Sequence, residues 1–291
     1  MGGESTKPTV PSTHAHQLKV AWRNVDRSEK EGILRNMDYL NPSLTPLRIL
    51  LYGPVGAGKS CFINSVQRAL IGRNVINALE GSITSEKSFT ASIKTHKMKK
   101  RRGGYYPFVF SDIMGLELDG GGIQTEDIIK VLEGHILDGY TFNPRRPISE
   151  RNQKYNTYPN PSDKVHCLVS ILPADAISRM DQCVIEKMKT VRKRASELNI
   201  PQVIVLTKVD NACEIVNRDM RKLYYSKRIK QKVEESSNKL GIPWSNIYPV
   251  KNYHAEITED ANVDVIILMA LRDIVNFAND YVKDLQESND N

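Results

Sequence analysis

The sequence contains no uninterrupted apolar stretch near the roughly 20 residues a membrane helix requires, which excludes a spanning segment of that kind. It also opens without the apolar core of a secretory signal. Only four cysteines occur in 291 residues, Cys61, Cys167, Cys183 and Cys213, with no CxxC pair and no histidine at zinc-ligand spacing. Such scattered thiols exclude a disulfide framework and a cysteine-based metal site, and they predict a reduced, cytoplasmic setting. No internal repeat is present, which removes solenoids and propellers.

What is present is an ordinary globular composition, 40% hydrophobic and 26% charged, in a chain long enough to bury a large core. The net charge of +7 requires an anionic partner to be considered. Its densest source, KMKKRRGG at Lys97–Gly104, lies between two strand-like segments. It reads as a solvated hairpin tip, so nucleic acid is not an expected partner. Residues 1–16 are polar, rich in Pro and Thr, and predicted to be a disordered tail. Gly2 and Thr6 satisfy the permissive MGxxx[ST] myristoylation pattern, although an ordinary tail is the expectation.

A lead-in over 17–46 is expected to hold a short strand at 18–22 and a helix over 26–37. From Leu47 onward the pattern alternates. Strands are predicted at 47–52, 90–98, 105–111, 165–172, 202–207 and 246–250, and helices over 59–71, 124–137, 176–198, 218–240 and 263–285. The basic turn makes 90–98 and 105–111 an antiparallel pair. The expected domain, 47–291 with an insert at about 117–164, is therefore α/β: a mostly parallel sheet with one antiparallel edge strand and helices on both faces. In such sheets ligands bind at the carboxyl ends of the strands.

At one such end stands GPVGAGKS, Gly53–Ser60, which satisfies GxxxxGK[ST] between a strand and a helix. Gly53 and Gly58 let the backbone wrap closely, so that amides along Val55, Gly56, Ala57, Gly58, Lys59, Ser60 and Cys61 converge on phosphates. Lys59 is suited to reach the β- and γ-phosphates and the Ser60 hydroxyl to ligate Mg²⁺. A second strand ends in FSDIMG, a DxxG arrangement. There Asp112 can hold Mg²⁺ through water and the Gly115 amide can touch the γ-phosphate. A threonine that closes over the metal comes from Thr84 or Thr90, and Thr90 is favoured because it stands just before the next strand. Lys59, Thr90 and Gly115 are thus the candidates to act on the γ-phosphate, and Ser60, Thr90 and Asp112 the candidate metal ligands.

The base is predicted from VIVLTKVD, whose strand ends in Thr207, Lys208, Val209 and Asp210. The Asp210 carboxylate can accept hydrogen bonds from guanine N1–H and its exocyclic amine, while the Lys208 stem lies along the ring. Adenine offers no such donor pair. Two charge-assisted bonds of ~1.5–3 kcal/mol each favour guanine by about 10²- to 10⁴-fold. After the last strand, PVKNYH places Lys251 and Asn252 where a loop backs the base. The cofactors expected are GTP or GDP with Mg²⁺.

These stretches are similar to a small-GTPase-like domain of the P-loop NTPase class. More specifically, LLYGPVGAGKSCFINSV, FSDIMGLE, EDIIKVLEGHILDGY with its following FNP, and LTKVD…VKNY resemble the interferon-induced protein 44 and 44-like family. The resemblance runs from about Val20 to Val282 and includes the insert between Gly115 and Val165. It implies a cytoplasmic, interferon-inducible guanine-nucleotide-binding protein linked to antiviral defence and restrained proliferation. Longer members carry an additional domain ahead of this region, and functions that depend on it are not transferred.

Leu116 follows DxxG where many active GTPases place a glutamine, and a leucine cannot polarise water. Slow turnover is expected, with Glu117 the neighbour of suitable chemistry and Arg101, Arg102, Arg145 and Arg146 unranked arginine candidates. The run Gly120–Gly122 reads as a hinge that reorders with the γ-phosphate. The stretch 139–164 is either a partner surface or a disordered loop, leaving room for a protein partner or self-association. Two function classes stay open: a slow GTP hydrolase, and a nucleotide-gated interaction module.

Overall fold

The computed structural model of the chain describes residues 17–75, 91–118 and 121–289. Six strands form one sheet: β1 Leu47–Tyr52, β2 Lys94–Lys99, β3 Tyr105–Asp112, β4 Cys167–Pro173, β5 Gln202–Thr207 and β6 Ile247–Pro249. Their order is β2-β3-β1-β4-β5-β6. All neighbours are parallel except the edge pair β2–β3. The apolar runs of β1, β4 and β5 are buried almost throughout, as strands covered on both faces must be.

Helices supply that cover. α1 (Lys30–Asp38), α2 (Lys59–Ile71) and the long α8 (Ala261–Asn289) pack together, with α8 lying on β1 and β4. α3 (Thr125–Leu132), α4 (Gln182–Glu197) and α7 (Lys227–Leu240) form the other group. Two short helices, α5 (Val209–Ala212) and α6 (Glu214–Arg218), follow β5. Because β1, β3, β4, β5 and β6 run parallel, their carboxyl ends share one rim. The register sets Leu51 of β1 beside Asp112 of β3, and Pro173 of β4 beside Thr207 of β5.

Several boundaries differ from expectation. Residues 18–22 are not a strand. The Leu18 and Trp22 amides donate to the Tyr225 and Tyr224 carbonyls at 2.8 and 3.0 Å, so the segment latches onto a 3-10 turn instead of a sheet. The helix expected over 176–198 starts only at Gln182, because the Asp181 side chain caps it by accepting the Cys183 amide. The helix expected over 218–240 is broken for the same reason: Ser226 accepts the Ile229 amide at 3.2 Å and opens α7. α3 stops at Leu132 rather than 137, with Gly134 at φ +83° turning the chain away. The strand predicted from Thr90 begins at Lys94, and residues 76–90, with both Thr84 and Thr90, lie outside the described residues. So do residues 1–16 and Gly120.

The lead-in and the insert are integral to the core. Ile33, Leu34 and Met37 of α1 are buried in it, as are Ile136, Tyr140, Phe142 and Ile148 of the insert. The buried Asp127 carboxylate of α3 accepts the Ile148 amide at 2.8 Å and ties the insert down. Burial pushes that carboxyl's pKa up, and the Ile148 bond opposes the shift.

Candidate functional site

Where β1 ends, the chain has no room for a side chain. Gly53 has φ +151°, and a Cβ there would lie 2.2 Å from the Ile171 carbonyl oxygen of β4. Gly58, at φ +92°, occupies the N-cap of α2, and no side chain caps that helix. Its first amides are therefore left for something other than the helix itself.

Lys59 stands at this uncapped end and is only 8% exposed. Its Nζ donates to the Gly53 and Pro54 carbonyls at 3.3 and 3.2 Å, and no carboxylate among the described residues ion-pairs with it. Burial pushes the ammonium's pKa down, and the charge of Asp112 only partly opposes the shift. Beside it, Ser60 Oγ donates to Asp112 Oδ2 at 2.7 Å. Asp112 is buried and its Oδ1 has no partner among the described residues. One hydroxyl and one half-satisfied carboxylate are hard oxygen donors, a set that fits Mg²⁺ when phosphate and water complete it. Among the described residues no group of three or more His, Cys, Asp or Glu could hold a metal ion.

The remaining motifs meet the same loop. Buried Thr207 donates to the Ala57 carbonyl at 2.6 Å, and Asn252 Nδ2 donates to the Gly58 carbonyl at 3.2 Å. The Asn252 Oδ1 is buried and has no partner among the described residues. Gly115 lies against Val55, so a Cβ on Gly115 would fall 2.6 Å from Val55 Cγ2. Lys208 turns the chain with φ +56°, a left-handed conformation costly for a non-glycine residue and concentrated at functional sites. Asp210, two residues on, is partly exposed and makes no hydrogen bond or ion pair among the described residues. The structure thus gathers residues 53–60, Asp112, Gly115, Thr207 and Asn252, with Lys208 and Asp210 following directly from Thr207.

Other candidates are placed differently. The Lys251 ammonium is engaged by Glu256 at 2.7 Å. Burial raises the Glu256 carboxyl, but the His254 amide and Lys251 outweigh it and hold its pKa at about 2. Leu116 is 1% exposed and belongs to the core. Glu117 lies against Gly121 and Gly122, and a Cβ at Gly121 would sit 2.5 Å from its Oε2. Arg101, Arg102, Arg145 and Arg146 are all exposed on the hairpin tip or the insert, and none bonds to a described residue of the loop.

Sequence reasoning missed Arg68. It is 4% exposed near the end of α2, donates to the Glu256 and Thr258 carbonyls, and stacks 3.9 Å from the Tyr253 ring centroid. Ser65 Oγ accepts the Tyr253 amide at 2.9 Å. One helix thus carries the phosphate-loop end and grips the loop that follows β6. The available signal was an arginine beside Val66, Ala69, Leu70 and Ile71 near the apolar end of the helix.

A glycine-wrapped turn between a buried parallel strand and an uncapped helix places the chain among α/β proteins with a phosphate-loop-type site. Over 255 residues, 87% of this chain, it is 36% identical to human interferon-induced protein 44. Over 244 residues, 83% of the chain, it is 34% identical to human interferon-induced protein 44-like, and over 239 residues, 82%, it is 32% identical to mouse interferon-induced protein 44. Over that stretch the chain belongs to the interferon-induced protein 44 and 44-like family. It spans about half the length of these relatives, 56% of human interferon-induced protein 44 and 54% of human interferon-induced protein 44-like. No family model matches the sequence. Among solved structures it is similar to a probable GTP-binding protein, engB, with TM-score 0.43 and 16% identity, covering 80% of this chain and 99% of that one. It is also similar to translation elongation factor SelB from Methanococcus maripaludis, with TM-score 0.38 and 12% identity, covering 82% of this chain and 34% of that one. Likenesses this distant carry nothing about function. No helix among the described residues is long and apolar enough to cross a membrane.

Proposed function

We propose that the chain binds guanine nucleotides with Mg²⁺ at this rim, as a cytoplasmic protein of the interferon-induced antiviral response, and that it hydrolyses GTP to GDP and phosphate slowly. The observation that carries the reading is Lys59, a buried ammonium at the head of an uncapped helix whose Nζ, among the described residues, hydrogen-bonds to carbonyl oxygens and ion-pairs with no carboxylate. A cation in that setting is stabilised by an anion that brings its charge to the same place. The amides of residues 55–61 add donors, and the helix dipole adds positive potential.

Ser60 and Asp112 would hold Mg²⁺, which when bound supplies positive charge to the phosphates. The Thr90 assignment rests on the sequence alone. Asp210, partly open and with no side-chain partner among the described residues, is the group that would read the base, with the Lys208 stem beside it and the Asn252 loop behind. The chemistry that chooses guanine is the donor pair N1–H and amine, which leaves Asp210 unmatched by adenine.

Slow turnover follows from Leu116, whose side chain is in the core and whose backbone is bonded to the loop, so it orients no water. The same observation favours a second reading, a nucleotide-gated interaction module with negligible turnover. Phosphate release measured against protein concentration separates the two: a specific rate that rises with concentration supports a hydrolase stimulated by self-association, and no turnover supports the module. The binding reading itself is tested with a nucleotide panel on wild type, Lys59→Ala and Asp210→Asn. Mg²⁺-dependent GTP and GDP binding, lost in Lys59→Ala and shifted toward xanthine nucleotides in Asp210→Asn, is expected. Equal affinities for ATP and GTP in the wild type would overturn the base assignment.

A further inference from the structure

We infer that Lys187 of α4 is a positioning residue that holds the segment after Asp112 against the phosphate loop and so biases the site toward the triphosphate. The inference rests on the guanine-nucleotide reading and adds a group that none of the nucleotide motifs contains.

The segment is fastened on its inner side by main-chain bonds. The Leu116 amide donates to the Gly53 carbonyl at 3.0 Å, and the Val55 amide donates to the Leu116 carbonyl at 3.1 Å. Pro54 and Leu116 thereby form an isolated parallel bridge. Gly115 packs so closely on Val55 that a Cβ there would lie 2.8 Å from the Val55 backbone nitrogen and Cα. Further along, the Ile123 amide donates to the Gly115 carbonyl at 3.2 Å and draws the far end of the loop back.

On the outer side Lys187 adds a side-chain fastening. Lys187 Nζ donates to the Glu117 carbonyl at 2.7 Å and approaches the Leu118 carbonyl at 3.4 Å. Glu126 and Glu186 line the same cavity of about 370 Å³ between α3 and α4, yet Lys187 ion-pairs with neither. Glu186 is instead taken by Lys189 at 3.0 Å. An ammonium with carboxylates nearby that donates to successive carbonyls is fixing the path of that backbone.

GDP gains nothing from Gly115, because it lacks the γ-phosphate that this residue is positioned to meet. GTP gains only while the segment stays docked. Loosening the segment lowers the competent fraction and raises the apparent dissociation constant for the triphosphate alone.

The test compares wild type, Lys187→Ala and Lys187→Arg as full chains, with GDP and with a non-hydrolysable GTP analogue. Lys187→Ala is expected to weaken the analogue by about tenfold and to leave GDP within about twofold. Arginine, which keeps the donors, is expected to restore the ratio. In the nucleotide-free protein, amide exchange at residues 115–118 is expected to speed up in Lys187→Ala. Equal losses for both nucleotides would mean a structural role, and no change in the ratio would remove the positioning role. Unchanged exchange would overturn the clasp independently of any ligand, whereas a wild type that binds neither nucleotide would overturn the proposed function.

Discussion

A buried ammonium that hydrogen-bonds to carbonyl oxygens, its burial only partly offset by the Asp112 charge, costs the fold stability, so Lys59 identifies a position where binding outweighs stability. Replacing it with methionine removes the buried charge while keeping most of the volume. Lys59→Met is expected to stabilise the nucleotide-free protein by about 1 kcal/mol while abolishing nucleotide binding. Thermal unfolding with and without GDP measures both effects, and a lower melting temperature for the free variant would count against the buried-charge account. Gly53 makes the opposite case. Its missing Cβ is needed at once, since any side chain would meet the Ile171 oxygen at 2.2 Å. Gly53→Ala is expected to cost about 2–4 kcal/mol in denaturant unfolding. Both residues were legible in GPVGAGKS, because a loop that wraps a phosphate imposes its residue types at fixed spacing. The left-handed turn at Lys208 was not legible, because a lysine carries no preference for that conformation.

At the level of elements, α2 is a lever with two ends. Its first turn faces the phosphate loop, and Arg68 near its last turn holds the loop after β6. Arg68→Met would keep part of the ring contact and lose both carbonyl bonds, at a cost of about 1.5–3 kcal/mol for each bond to a charged group. Faster amide exchange across 253–258 and weaker guanine binding are expected together, and weaker binding with unchanged exchange would separate the loop from Arg68. The approach to β4 carries the pH dependence. The His166 ring accepts the Arg48 amide on Nδ1 at 2.9 Å and faces the Pro161 carbonyl through Nε2 at 3.0 Å, so it is held neutral. Burial pushes its pKa down, Arg48 adds to that, and the Pro161 bond opposes it. The unfolded chain, with an ordinary histidine near about 6.5, therefore takes up the proton first, and stability present above that value is lost as pH falls below it. Melting temperatures between about pH 8 and 5 are expected to fall more steeply for wild type than for His166→Gln. The strands at 47–52 and 202–207 and the helix at 59–71 were readable to the residue from periodicity and Gly72. The helices over 176–198 and 218–240 were drawn too long, because the capping by Asp181 and Ser226 depends on a backbone turn that periodicity does not encode.

For the whole molecule, the sheet and both helical groups share one hydrophobic core, so binding at the rim is linked to global unfolding. GDP with Mg²⁺ at 100 times its dissociation constant is expected to add about 2.7 kcal/mol to stability. ATP is expected to add little, and matching thermal shifts from the two would argue against Asp210 as the selector. Charge is distributed unevenly over this body. Lys94, Lys97, Lys99, Lys100, Arg101 and Arg102 carry six positive charges on one edge hairpin, against a net +7 for the chain. Lysines on an exposed edge strand also discourage pairing with another sheet.

The chain's own order of residues was enough to specify the strand, the glycine turn, the helix and the two downstream aspartates, since each is a local arrangement of backbone and neighbouring side chains. Tertiary structure alone decided the contacts between distant segments: Thr207 and Asn252 on the loop carbonyls, Arg68 on the base loop, Lys187 on the backbone of Glu117, and an insert packed into the core. Those depend on which elements the sheet order brings together, and local spacing does not encode which atoms meet across 70 to 194 positions of chain.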